Sequence, residues 1–233
     1  LKKHLILSVL SGFGATMMLS TAAIAGGGIP DATANWDHLW NEVLIDLTVL
    51  GSIFMIAAIY MLIKYRTKDP NKVGSGPKLS RAQSIAWALI PTAIFLADDF
   101  YLAASGWSLW QDQRTIPENA MEVKVTGYQW YWEFEYEDGT VTEELVVPVG
   151  TPVVLRMTSE DVVHSFGLHE YRMTEDLMPG RVTYMWFYPQ ESKETFVSCR
   201  EFCGISHSEM FADVKAVKPA EFTAWLAKAK AEG

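Results

Sequence analysis

Two long apolar stretches, followed by short strand signals separated by turns, predict an all-β domain of Greek-key type anchored in a membrane by an N-terminal two-helix hairpin. A third observation narrows the class: both cysteines of the chain fall within residues 199–210, between the last two strand signals, together with a histidine and a methionine. Of the 233 residues 49% are hydrophobic and 20% charged, too apolar for a disordered chain and too charged for one made only of membrane helices.

Residues 1–25 read as a secretory signal, with Lys2 and Lys3 ahead of an apolar run and Ala23-Ile24-Ala25 in the small-x-small form of a cleavage site. Residues 26–43 would then lie outside the membrane, residues 44–63 form a first transmembrane helix, and residues 82–105 form a second. The link 64–81 carries Lys64, Arg66, Lys68, Lys72, Lys78 and Arg81 against Asp69 alone, whereas residues 26–43 contain no lysine or arginine. The charge bias places the link in the cytoplasm and everything after residue 105 on the opposite side. Asp98 and Asp99 sit roughly 24 Å along the second span at about 1.5 Å per residue, so either interfacial water or a polar contact on a neighbouring subunit must satisfy them.

From Met121 the periodicity changes to that of strands. Val123, Val125, Tyr128, Trp130, Trp132, Phe134 and Tyr136 give aromatic and β-branched alternation, Asp138-Gly139 makes a turn, and strand signals recur at residues 141–154, 153–158, 182–188, 194–198 and 212–217. Residues 106–218 are thus expected to form the β domain. Pro219, followed by Phe222, Trp225 and Leu226 at helical spacing, starts a C-terminal helix within residues 219–233.

The cysteine loop carries the chemistry. Cys199, Cys203, His207 and Met210, with His164 as the best outside candidate, form a soft donor set. A disulfide and a Cys2His2 zinc site are the competing readings of the same residues. Methionine discriminates, because a thioether adds little to zinc but is a usual weak ligand of copper. A one-copper site needs only one cysteine, so the second thiolate is surplus unless it bridges to a second metal, and two bridging sulfurs would mean two coppers. With this ligand set the β domain reads as cupredoxin-like.

The pattern Cys-x-Glu-x-Cys-x-x-x-His-x-x-Met, with His164-Ser165-Phe166 and Pro179-Gly180-Arg181 upstream, resembles subunit II of the haem–copper oxygen reductases, the cytochrome c oxidase family. Gly127-Tyr128-Gln129-Trp130-Tyr131-Trp132 is similar to a second stretch of that family, and the likeness covers residues from about 36 to 225. The resemblance implies a dinuclear copper A centre bridged by Cys199 and Cys203, with His164 and His207 each on one copper. Met210 and the Glu201 carbonyl would complete the ligands, and the Glu201 side chain would reach a magnesium ion shared with the catalytic subunit. Trp130 would be where electrons enter from a c-type cytochrome, while Trp132 and Phe134 read as core. The partners implied are the haem–copper catalytic subunit, which reduces oxygen to water, other oxidase subunits and membrane lipid. The setting implied is a bacterial inner membrane with the copper domain in the periplasm.

The chain itself shows no nucleophile with a poised base and no Cys-x-x-Cys-His for covalent haem, so its expected part is electron transfer alone. Residues 118–233 hold 20 acidic against 10 basic residues, which argues against nucleic acid; the charge fits either attraction of a basic partner or solubility alone, and the resemblance implies the former. Three positions depart from the family. Ser84 stands where a glutamate at the mouth of a proton channel is usual, His169 replaces a usual proline, and Thr174 a usual lysine. These departures keep two alternatives in view: the copper A subunit of a nitric oxide reductase, and a membrane-tethered periplasmic copper carrier.

Overall fold

Asp31 starts the first helix, its carboxylate accepting a hydrogen bond from the Ala34 N–H at 3.0 Å. In this computed structural model, which describes residues 28–69, 71–74, 76 and 78–232, α1 spans Ala32–Lys64 and α2 spans Arg81–Arg114. The signal-type segment 1–25 lies outside the described residues. Ser80 and Gln83 form a reciprocal capping box at the start of α2, and Pro91 sits inside that helix without ending it. Mean hydropathy reaches 2.2 in α1 and 1.5 in α2, and none of either apolar window is buried by the chain itself. Such surface is stable only against lipid or another apolar partner.

At 1.5 Å per residue each helix is about 50 Å long, well beyond the roughly 30 Å of a hydrocarbon layer. The surplus lies at the end that carries the β domain: α1 begins inside the segment 26–43, and α2 continues nine residues past 105 to Arg114. An apolar window stops at the first polar residues, whereas backbone hydrogen bonding continues through them. Asp98 of α2 lies beside Asp46 of α1. One turn further out, Tyr101 Oη donates to Glu42 Oε2 at 2.6 Å.

Ten strands form two five-stranded sheets. In chain order they are β1 Met121–Tyr128, β2 Tyr131–Tyr136, β3 Val141–Thr142, β4 Leu145–Pro148, β5 Val153–Ser159, β6 His164–Leu168, β7 Met173–Leu177, β8 Thr183–Phe187, β9 Lys193–Cys199 and β10 Phe211–Val217. The sheet orders are β3-β2-β1-β5-β8 and β4-β10-β9-β6-β7, with β1·β5 and β4·β10 parallel and the other pairs antiparallel. The consecutive strands β4 and β5 lie in different sheets, as do β7, β8 and β9 in turn, which is the crossed connectivity of a cupredoxin-like sandwich. Val125, Trp132, Phe134, Leu155, Phe166 and Leu177 fill the space between the sheets.

Two features depart from the periodicity. The alternation from Val123 to Tyr136 is not one strand but a hairpin, with Tyr128 opposite Tyr131 and Gln129-Trp130 at the turn. Strands β6 and β7 gave no clear strand signal, because their small and polar residues, Ser165, Gly167, Thr174, Glu175 and Asp176, are stabilised by cross-strand pairing rather than by local propensity. The C-terminal helix α3, Pro219–Glu232, packs Phe222, Trp225 and Leu226 on the sandwich, and Trp225 Nε1 donates to Glu144 at 3.0 Å. The opposite tie is to α2, where Trp186 Nε1 donates to the Asp112 carbonyl and Tyr184 Oη to the Arg114 carbonyl, each at 3.1 Å.

Candidate metal centre

Strand pairing brings the distant donor to the loop. His164 opens β6 and Cys199 closes β9, and these strands pair with Phe166 opposite Cys199. The loop between β9 and β10 then returns on itself. Cys199 N–H donates to the Met210 carbonyl at 3.1 Å, Arg200 N–H to the Ser165 carbonyl at 2.8 Å, and His207 N–H to the Gly204 carbonyl at 3.2 Å. These bonds close a ring of backbone around the side chains that the spacing singled out.

The two thiols meet inside that ring. Their sulfurs lie 3.7 Å apart, both cysteines are free, and the separation far exceeds the roughly 2.05 Å of a disulfide. Each has its own imidazole: His164 Nδ1 is 3.8 Å from Cys199 Sγ, and His207 Nδ1 is 3.5 Å from Cys203 Sγ. Met210 Sδ lies 3.7 Å from Cys203 Sγ, and the Glu201 carbonyl oxygen 3.2 Å from Cys199 Sγ. His164, Cys199, Cys203 and Met210 are buried, His207 is half-buried, and the Glu201 side chain is exposed. Among the described residues, His164, Cys199 and Cys203 are the one group of three or more acidic, histidine or cysteine side chains whose donor atoms all lie within 4.8 Å of one another.

The electrostatics favour a bound cation. Burial alone would raise the Cys199 thiol, but the His164 imidazole and the nearby backbone outweigh it and hold Cys199 well below the usual thiol range. Burial and the charge on Cys199 push Cys203 up. One thiolate therefore opposes formation of the second until a positive ion lies between them. Two thiolates, two imidazoles and a thioether suit copper, and the buried thioether separates this set from a zinc site.

Asp161, which the sequence reading passed over, organises the surroundings. Its Oδ1 is 2.7 Å from His164 Nε2, which leaves Nδ1 facing the sulfurs as a lone-pair donor. Its Oδ2 accepts from the Gln129 N–H at 2.6 Å. From there Gln129 Nε2 and Trp130 Nε1 both donate to the Cys203 carbonyl, at 2.6 and 3.3 Å. Trp130 thus lies half-buried against the metal loop, whereas Trp132 and Phe134 are fully enclosed in the core. Asp161 could have been suspected from its place three residues before His164, but its hydrogen bonds to two separate segments are properties of the fold.

Two glycines make the close approaches possible. A Cβ on Gly204, at φ 129°, would come within 3.0 Å of both Gln129 and Trp130 side-chain atoms. One on Gly127 would lie 3.0 Å from His164 Cδ2 and 3.3 Å from the Trp132 ring, both rigid. Gly127→Ala is therefore expected to cost about 1–3 kcal/mol and to displace the His164 ring. The check is a lower midpoint in denaturant together with an altered visible spectrum of the copper-loaded protein, and an unchanged spectrum counts against it.

A β-sandwich of cupredoxin type with paired thiols and imidazoles beneath one loop, together with two helices long and apolar enough to cross a membrane, fits the class of membrane-anchored subunits with a copper A-like site. Residues 139–217 match the family model for the periplasmic domain of cytochrome c oxidase subunit II. The heme-copper oxidase subunit 2 of Aeropyrum pernix is 32% identical over 209 residues, 80% of this chain and 88% of that protein. The cytochrome c oxidase subunit 2 of Cereibacter sphaeroides is 28% identical over 228 residues, 81% of this chain and 73% of that protein. A crystal structure of the periplasmic domain of subunit II of cytochrome oxidase from Bradyrhizobium japonicum is 29% identical and covers 51% of this chain and 99% of that one, with a TM-score of 0.48. This chain belongs to the haem–copper oxidase subunit II family, and so to an oxidoreductase complex.

Proposed function

We propose that this chain is the subunit at which electrons from a c-type cytochrome enter a terminal oxidase on their way to the haem–copper catalytic subunit, where oxygen is reduced to water. The observation that carries the reading is the pair of free buried sulfurs 3.7 Å apart, each with a separate imidazole within 3.8 Å. Cys199 and Cys203 would bridge two copper ions, His164 and His207 would bind one each, and Met210 and the Glu201 carbonyl would complete the set. Bound there, the copper pair supplies one-electron redox chemistry.

The protein's own residues hold that chemistry in place. Asp161 fixes the orientation of His164, and the loop keeps the sulfurs out of water, so little rearrangement accompanies a change of charge. Trp130 offers a partner an aromatic edge hydrogen-bonded to the Cys203 carbonyl. The exposed Glu201 carboxylate would bind magnesium together with ligands from the catalytic subunit. The basic link 64–81 would face the cytoplasm and the β domain the periplasm. Ser84 donates to the Ser80 carbonyl at 3.2 Å and supplies no carboxyl for proton uptake.

Protein isolated from its native membrane is expected to show electron paramagnetic resonance hyperfine structure from two equivalent copper nuclei. The complex should consume oxygen with reduced cytochrome c as donor. A one-copper spectrum or stoichiometric zinc would overturn the metal assignment, and consumption of nitric oxide in place of oxygen would overturn the acceptor.

A further inference from the structure

The two thiols are held in different ways. Cys199 ends β9, with its N–H on the Met210 carbonyl at 3.1 Å. Cys203 lies in irregular loop, and among the described residues no main-chain hydrogen bond reaches it. Two side chains from the turn between β1 and β2 take its carbonyl instead, Gln129 Nε2 at 2.6 Å and Trp130 Nε1 at 3.3 Å. Direct N–H···O bonds cluster near about 2.9 Å, so the carboxamide is the tight tie and the indole the loose one.

Gln129 also reaches the other half of the centre. Its own N–H donates to Asp161 Oδ2 at 2.6 Å, a charge-assisted bond, and Asp161 Oδ1 lies 2.7 Å from His164 Nε2. The route from His164 through Asp161 and Gln129 to Cys203 therefore links the imidazole beside one thiol to the main chain of the other. The loop is shaped to receive this strut. Gly204 follows Cys203 at φ 129°, and a Cβ there would lie 2.9 Å from Gln129 Nε2, so a larger residue would push the carboxamide off the carbonyl. Gln129 is nonetheless exposed. Water would satisfy an exposed carboxamide nearly as well, so the bond adds little to folding stability, and its main consequence is where it holds the loop.

We propose that Gln129 is a positioning residue of the metal centre: its carboxamide fixes Cys203 and its main chain fixes Asp161 and His164, so that one residue of the turn sets the register between the two halves. The inference rests on the copper reading above and goes beyond it, assigning the equivalence of the two copper ions to a residue outside the ligand set. The donating N–H also points its positive end at the loop, which favours the less positive, reduced state of a centre held there.

The test compares the full chain as wild type, Gln129→Leu and Gln129→Lys. Leucine removes the N–H donor without offering a ligand, and lysine returns a donor at similar reach. Copper-loaded Gln129→Leu should fold as wild type does and keep two coppers, but show unequal hyperfine couplings from the two nuclei and a lower reduction potential in equilibrium titration with small redox mediators. Gln129→Lys should recover equal couplings. In metal-free protein treated with oxidised glutathione, each Cys199–Cys203 disulfide formed releases two glutathione thiols. Gln129→Leu should close that bridge about fivefold faster, the effect of losing one hydrogen bond that keeps the sulfurs 3.7 Å apart. Equal couplings with an unchanged potential in Gln129→Leu, the same disturbance in Gln129→Lys, or wild-type disulfide kinetics would each overturn the proposal. A wild type without a two-copper spectrum would instead sink the copper reading, and the metal-free comparison would still decide whether Gln129 holds the loop.

Discussion

Cys203→Ser is expected to leave the sandwich folded and to remove the two-copper spectrum. Cys203 is buried, with its sulfur 3.7 Å from Cys199 Sγ, 3.5 Å from His207 Nδ1 and 3.7 Å from Met210 Sδ, so in the proposed two-copper centre it would serve both ions. Serine is close in size but offers a hard oxygen that stays protonated at neutral pH, and it cannot bridge soft ions as a thiolate does. Copper content should fall from about two to about one or less per chain, and any remaining copper should give a one-nucleus hyperfine pattern, held by Cys199 and His164. The Cys199–His164 pair would be left largely intact, since its 3.8 Å contact and the Asp161 hydrogen bond lie on the other side of the bridge. Metal analysis with electron paramagnetic resonance decides the matter. Two equivalent coppers in Cys203→Ser would eliminate the bridging arrangement.

Trp130→Ala should slow reduction by an external cytochrome c by at least about tenfold at every ionic strength, while copper content and spectrum are kept. The ring lies half-buried on the metal loop, and its indole N–H bonds to the carbonyl of a proposed ligand residue. Losing that bond costs only about 1 kcal/mol, because Gln129 Nε2 still donates to the same oxygen. Trp130→Phe separates the two contributions: it keeps an aromatic edge and removes the N–H, so its reduction rate should lie between wild type and alanine. Acids on the same face should act differently, since their long-range attraction is screened by salt. Glu144 is a poor choice for that comparison, being paired with Lys215 at 2.6 Å and with Trp225 at 3.0 Å beside α3. Glu133 and Glu160, which with Asp161 surround Tyr128 close to the hairpin turn, are better choices, and their neutralisation should slow reduction only at low salt. Bleaching of the copper in Trp130→Ala would make the ring a structural residue.

The ligand loop was legible because its information is local. Five of the six proposed contacts lie within twelve residues, and the spacing Cys-x-x-x-Cys-x-x-x-His-x-x-Met determines which side chains a single turn of backbone can gather. The two apolar helices were legible for a similar reason, since hydropathy accumulates along a continuous segment. Tertiary structure decided what depends on pairing between distant segments. Strands β6 and β7 exist because the sandwich supplies them with neighbours, and β6 in turn carries His164 to Cys199 across 35 positions of sequence. The turn at Gln129-Trp130 is hidden in a run of aromatic and β-branched residues and becomes visible only when Tyr128 faces Tyr131. Asp161 illustrates the same limit, since one carboxylate joins His164 to the Gln129 backbone, and no periodicity records a hydrogen bond made to another strand's end. The contact between α2 and the sandwich is likewise a product of docking: Arg114 and Glu175, far apart in sequence, form a 2.7 Å pair where Trp186 and Tyr184 fasten the sheet to the end of α2.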